Sequence, residues 1–215
     1  MVGIWGATGT EPLQSEQTER LTTDLRWSDR ESTDEYTAGD VTVGIATHPS
    51  RPPPVGEEGD TTVWLWGSVW GFDGPDGYTV PDEPPAAYCA SLYEEYGPGF
   101  VAGLNGTFAG VVHDRSEERV SLFTDRLGSR AIHYYRPTDG GLVFSTNVQS
   151  LPLHPAVETG FDVEYLAEYF SLQRAFGVKT PLRASNASSP DPSRPSRSTK
   201  RRSKPSGTGR PTTTR

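Results

Sequence analysis

Few residues in this chain have the type and spacing that chemistry needs. The single cysteine, Cys89, could in principle act as an acyl-transfer nucleophile. It falls, however, in the run Ala86, Tyr88, Cys89, Leu92, Tyr93 and Tyr96, whose spacing predicts one apolar helical face, where a thiol is buried and inert. The histidines, His48, His113, His133 and His154, stand far apart in the sequence and show no metal-ligand spacing, so no metal is expected. Gly3-Ile4-Trp5-Gly6-Ala7-Thr8-Gly9 imitates a dinucleotide-binding loop. Such a loop must open an amphipathic helix, and here Pro12 and a polar stretch follow. Trp64, Trp66 and Trp70 read as core residues before they read as a ligand platform.

The elements that would position any site are clearer. Val2 to Trp5 is a short apolar strand, then a polar loop leads to Leu21–Trp27, which alternates weakly, and Tyr36–Thr47 carries a further strand. Pro49, Pro52, Pro53 and Pro54 open a loop ending near Asp60, and Thr61–Phe72 returns to β-branched and aromatic residues. Pro84 and Pro85 start the helix that holds Cys89, and Gly97 stops it. From Leu104 to Tyr135, Phe108, Val111, Val120, Leu122, Ile132 and Tyr134 sit at strand spacing, with Ser116-Glu117-Glu118 as a hairpin loop. Asn147–Leu151 predicts a short helix, and Asp162 caps a helix over Val163–Phe170 with Leu166, Tyr169 and Phe170 facing inward. Antiparallel strands with segregated helices indicate α+β architecture.

The order Leu-Asn-Gly-x-Phe-Ala (Leu104–Ala109), strand, Asp114-Arg115, strand, Asp125-Arg126-Leu127-Gly128-Ser129-Arg130, strand, then Gly140–Ser145 closely resembles the amino-terminal glutaminase half of glutamine-hydrolysing asparagine synthetases. These are class II glutamine amidotransferases, and the likeness is best from about Trp64 to Leu182. It implies a four-layer αββα sandwich of the amino-terminal-nucleophile hydrolase type. It also implies a family role: hydrolysing glutamine to supply ammonia for ATP-dependent asparagine synthesis. No cofactor is expected in this half.

The resemblance also says where the site should be and what has changed there. The family reads Met-Cys-Gly-Ile where this chain reads Met1-Val2-Gly3-Ile4. In the family the freed α-amino group serves as base for the thiol, which attacks the glutamine side-chain amide. Val2 has no lone pair, and losing a nucleophile from such a unit costs about 10⁶-fold in turnover, so no catalytic residue is assigned. The family's Asn-Gly pair, which forms its oxyanion hole, aligns with Trp66-Gly67, keeping the glycine and losing the amide donor. The acidic residue that would meet the substrate's ammonium falls near Pro85, with Asp82 and Glu83 close by in sequence. His48-Pro49-Ser50-Arg51 resembles the substrate-binding arginine stretch. His48, Arg51 and Gly67 are therefore the expected pocket remnants, although His48 and Arg51 also read as ordinary loop residues. Asp125, Arg126 and Gly128 are expected to be structural, shaping a turn and the junction with the synthetase half.

Composition divides the chain near Pro181. Residues 1–180 carry 27 Asp and Glu against 11 Lys and Arg, whereas residues 181–215 carry one acid against nine bases, giving −8 overall. At molar salt the Debye length falls to about 3 Å and the body's self-repulsion is screened. The body is therefore read as adapted to a salt-rich cytosol such as that of halophilic archaea. An acidic body is not a nucleic-acid surface, and no apolar run is long enough to span a membrane. Domain organisation is read as an amidotransferase-like domain over 1–182 and a basic disordered tail over 183–215, with a frameshift as the hypothesis for the tail's origin and the synthetase domain expected to be absent. Expected partners are glutamine in the ancestral family and a homo-oligomer or a synthetase subunit. The alternative to a silent family member is a non-enzymatic pseudo-glutaminase that serves as a scaffold or ligand-binding subunit.

Overall fold

In this computed structural model the described residues are 3–138, 140–173, 177–183 and 185–187, with the backbone of Thr199–Lys200. In chain order the strands are β1 Gly3–Thr8, β2 Ser32–Ala38, β3 Val41–Thr47, β4 Val55–Glu58, β5 Thr61–Gly74, β6 Gly77–Thr79, β7 Leu104–Asp114, β8 Arg119–Thr124, β9 His133–Tyr135, β10 Leu142–Ser145, β11 Ser185–Ala187 and β12 Thr199–Lys200. The helices are α1 Ser15–Asp24, α2 Pro85–Tyr96 and α3 Val163–Leu172, with 3₁₀ turns at Gly97–Gly103 and Val148–Leu153. One antiparallel sheet has the order β11-β9-β10-β1-β3-β2, and the other β12-β8-β7-β5-β4, with β6 beside β5.

Side-chain alternation along the strands builds the layers. On β7, Leu104, Phe108 and Val112 face one way and pack with Val63, Leu65, Ala86, Cys89, Leu92 and Tyr93, joining the sheet to α2. Ala109 and Val111 face the other way and meet Ile4, Val43, Ile45, Trp64, Leu122 and Phe144, which form the seam between the two sheets. The outer face of the first sheet is covered by α1 through Trp5, Leu21, Leu25 and Ala46, and by the second 3₁₀ turn through Ala7, Val143 and Leu151. The layers therefore run helix, sheet, sheet, helix, as the resemblance implies. Gly56 lets α2 sit directly on β4, because a Cβ there would lie 2.1 Å from the Ala87 nitrogen.

Four sequence expectations are corrected or redrawn. Leu21–Trp27 is not a strand segment: α1 takes its first half, with Gln17 Oε1 accepting from the Gln14 N–H at 2.9 Å. Its inner face mixes Leu21 with Thr18 and Thr22, and Thr22 Oγ1 accepts from Trp5 Nε1 at 2.8 Å, so a half-polar helix packs as if apolar. Tyr36–Thr47 is the greater part of a hairpin, β2 and β3, turned at Gly39. Asp162 caps α3 as expected, accepting from the Tyr165 N–H at 3.0 Å, but Tyr169 and Phe170 are exposed instead of inward, and no residue of α3 is buried. The boundary drawn at residue 182 falls short of a strand, because Ser185–Ala187 pairs with β9 and Ser185 is buried. The backbone of Thr199–Lys200 pairs with β8; Val2 and the rest of the basic tail lie outside the described residues.

The Asp125 turn is built as the sequence suggests. Asp125 is 5% exposed, and its carboxylate accepts from the N–H groups of Phe108, Leu127 and Ser129 at 3.2, 3.0 and 3.1 Å and from the Ser129 hydroxyl. Burial alone would raise its pKa; these donors outweigh burial and hold it below the usual carboxylate range. Gly128, at φ +60°, takes the left-handed position that closes the turn. Arg126 is exposed and reaches back to Asn105 Oδ1.

Buried histidines lie outside this network. His154 Nδ1 accepts from the Ala156 N–H at 3.1 Å while Nε2 is buried with no hydrogen-bond partner, and burial lowers its pKa to about 4. It is a neutral structural residue at any ordinary pH.

Asp125→Ala leaves the buried Phe108 N–H and the partly exposed Leu127 and Ser129 N–H groups without their acceptor, so it should lower the unfolding free energy at pH 7 by about 2–3 kcal/mol in urea titrations. Because the folded-state pKa is depressed, the carboxylate's contribution is present in full above the ordinary carboxylate range and is lost as pH falls from there through the lowered folded-state value. The gap between wild type and Asp125→Ala should therefore narrow below about pH 4; a gap unchanged at pH 3 would contradict this role.

Candidate functional site

A cleft of about 400 Å³ opens where the ends of β3 and the middle of β5 approach the Asp125 turn. Its walls include Glu31, Thr47, His48, Ser50, Arg51, Pro52–Pro54, Leu65, Trp66, Gly67, Pro85 and Arg130. The expected remnants His48, Arg51 and Gly67, which come from two separate stretches of sequence, thus line one cavity, together with Trp66 and Pro85. Asp82 and Glu83 do not line it; Glu83 accepts from Ser91 Oγ at 3.2 Å on the flank of α2.

The acid that reaches the cleft is Glu31, which sequence reasoning missed. Hairpin register explains its arrival: Ser32 pairs with Thr47, so the residue before β2 lies next to His48, the residue after β3. Reading Ser32–Thr47 as a hairpin around Gly39-Asp40 would have revealed it. Glu31 Oε2 accepts from the Trp27 N–H at 2.7 Å, and that bond leads the causes that hold its carboxyl below the usual range.

His48 and Ser50 form a local lock. Ser50 Oγ lies 2.8 Å from His48 Nδ1, the Ser50 N–H donates to the same nitrogen at 3.3 Å, and the Arg51 N–H donates to the His48 carbonyl at 2.9 Å. With Nδ1 accepting, the neutral ring carries its proton on Nε2. A hydroxyl beside an imidazole has the spacing of a nucleophile and base. Here the pair is two residues apart on an exposed loop, and among the described residues no acceptor orients Nε2, so the bonds shape the turn. Cys89 does not line the cleft; it is fully buried on the inner face of α2, and burial pushes its thiol pKa up.

Gly67 has a structural reason for being glycine. At φ +125° it faces β7 so closely that a Cβ would lie 2.1 Å from the Thr107 carbonyl oxygen and 2.8 Å from Phe108 Cα. Beside it, Trp66 is half-buried against the seam between the sheets, and the Arg130 guanidinium carbon stands 4.6 Å from its ring centroid. Arg130 Nε also donates to the Thr107 carbonyl at 3.2 Å. The arginine is therefore held from two sides, the ring contact worth about 0.5–2 kcal/mol. The Asp125–Arg130 motif was legible, but this role for Arg130 was not, because it depends on Trp66 across the sheet.

Among the described residues no group of three or more His, Cys, Asp or Glu is placed to hold a metal ion, and no helix is long and apolar enough to cross a membrane.

Comparison with known proteins places this geometry. Residues 88–188 match the family model described as a glutamine amidotransferase domain. Over 109 residues, 49% of this chain and 14% of the relative, the sequence is 26% identical to the glutamine-hydrolysing asparagine synthetase 2 of Bacillus subtilis (strain 168). The chain thus spans about one seventh of that relative's length. Among solved structures, the allosteric regulatory enzyme of purine biosynthesis aligns over 70% of this chain and 43% of its own at a TM-score of 0.50 and 10% identity. A glutamine phosphoribosylpyrophosphate amidotransferase from B. subtilis, complexed with ADP and GMP, aligns over the same shares at 0.49 and 11%. At 10% identity the likeness to the first of these concerns the fold alone, an α+β sandwich of two antiparallel sheets with flanking helices. Family match and relative point the same way: residues 88–188 are similar to a glutamine amidotransferase domain, and about half of the chain is similar to part of a glutamine-hydrolysing asparagine synthetase.

Proposed function

We propose that this domain keeps the amidotransferase cleft and has given up the glutaminase reaction, acting as a ligand-binding or scaffold relative of the asparagine synthetase glutaminase half. The observation that carries this reading is the Trp66–Arg130 pair. It occupies the place where the family sets the amide of its oxyanion hole, and removing one such donor costs about 10²–10³ in turnover. The sequence adds a second and larger loss: Val2, beside Gly3 and Ile4, supplies no sulfur for acyl transfer. Two independent catalytic parts are replaced, while the surrounding cavity keeps a volume suited to a small metabolite.

The scaffold reading has its own support in α3, where Phe161, Val163, Phe170 and Leu172 are exposed on or beside a capped helix. The acid excess of residues 1–180 further supports a salt-rich cytosol as the working environment.

Purified protein given glutamine should release ammonia no faster than a heat-denatured control, in low and in molar KCl alike; release above the control overturns the silent-domain reading. For the salt assignment, the melting temperature should rise between 0.1 and 2 M KCl as repulsion is screened. A flat or falling melting temperature would remove that assignment.

A further inference from the structure

Resting on the reading of the cleft as a descendant of a glutamine site, we propose that it now selects a small dicarboxylate over the neutral amide, with Arg130 as the residue that sets the preference. Three observations converge on this. First, the charge of the lining runs against that of the body. Residues 1–180 hold 27 acids to 11 bases, yet the cleft presents two guanidinium groups, Arg51 and Arg130, to one carboxylate, Glu31. Second, Arg130 is pre-positioned. Its Nε is fixed on the Thr107 carbonyl and its guanidinium carbon lies over the Trp66 ring, while no carboxylate among the described residues takes its terminal nitrogens. Third, the Arg51 side chain likewise has no ion-pair partner among the described residues.

The chemistry of the guanidinium decides which ligand suits it. It has five N–H donors and no acceptor, and it matches a carboxylate through two parallel hydrogen bonds. A carboxamide offers only one acceptor oxygen, and its NH₂ sets donors against donors. A guanidinium already held by a hydrogen bond and a ring contact loses little freedom on binding, so the fork is ready before the ligand arrives. Two such groups in a cavity of about 400 Å³ fit a short diacid such as glutarate or glutamate, one carboxylate to each arginine.

Isothermal titration with glutarate, glutamate and glutamine tests this, at one KCl concentration where circular dichroism shows folded protein. Glutarate and glutamate should bind about tenfold or more tighter than glutamine, a difference of about 1.4 kcal/mol. Arg130→Gln should erase the preference while the melting temperature stays near wild type. Arg130→Lys should recover part of it, since charge returns without the fork. If Arg130→Gln fails to fold, Arg130→Lys carries the test by itself, and Arg51→Gln on the exposed loop should weaken glutarate and glutamine alike while the ratio between them stays near wild type. Glutamine binding as tightly as glutarate, no binding of any of the three, or an unchanged preference in the folded Arg130 variants would each overturn the proposal. Ammonia release bears on the silent-domain reading and the affinity ratio on this one, so the two fail separately.

Discussion

The carboxylate of Asp125 is the constraint on which the site depends. It gathers the Phe108 N–H of β7 and the Leu127 and Ser129 N–H groups of its own turn, and so fixes where the chain stands as it leaves β8. Arg130 follows at once, and its guanidinium reaches the Thr107 carbonyl one residue before Phe108 and the Trp66 ring on the neighbouring strand. A buried carboxylate without such donors would be costly. Here the donors are backbone groups supplied by two elements, so the turn and the β5–β7 pairing are set together.

The pairing of β5 with β7 then shapes the cleft from behind. Gly67 lies opposite Phe108, and its lack of a side chain lets the strands close to a distance that no other residue permits. The glycine that the family resemblance marks as part of an oxyanion hole is thus required by packing in this chain.

How much could be read from the sequence depended on how local the signal was. β5, β7, β8 and α2 were legible because their apolar residues recur at period two or fall on one helical face, and the Asp125 turn because its residues bond one another. α1 was hidden because threonines do the work of aliphatic residues on its inner face. The hairpin of β2 and β3 was hidden because its turn at Gly39-Asp40 was read through, and Glu31 was lost with it. The exposure of Tyr169 and Phe170 was not legible, since an amphipathic pattern says which face is apolar and not whether anything covers it. His48, Arg51 and Gly67 could be named from the resemblance. That they share a cavity with Arg130 needed strand register, which links positions far apart in sequence.

The central claim is a site that recognises without reacting, and covalent capture tests it most directly. Incubating the protein with a diazoketone analogue of glutamine and weighing the intact chain should return the unmodified mass, because no thiol lines the cleft and Cys89 is sealed between α2 and the sheet. A stoichiometric adduct mapped to any residue lining the cleft would show a working nucleophile there and contradict the account.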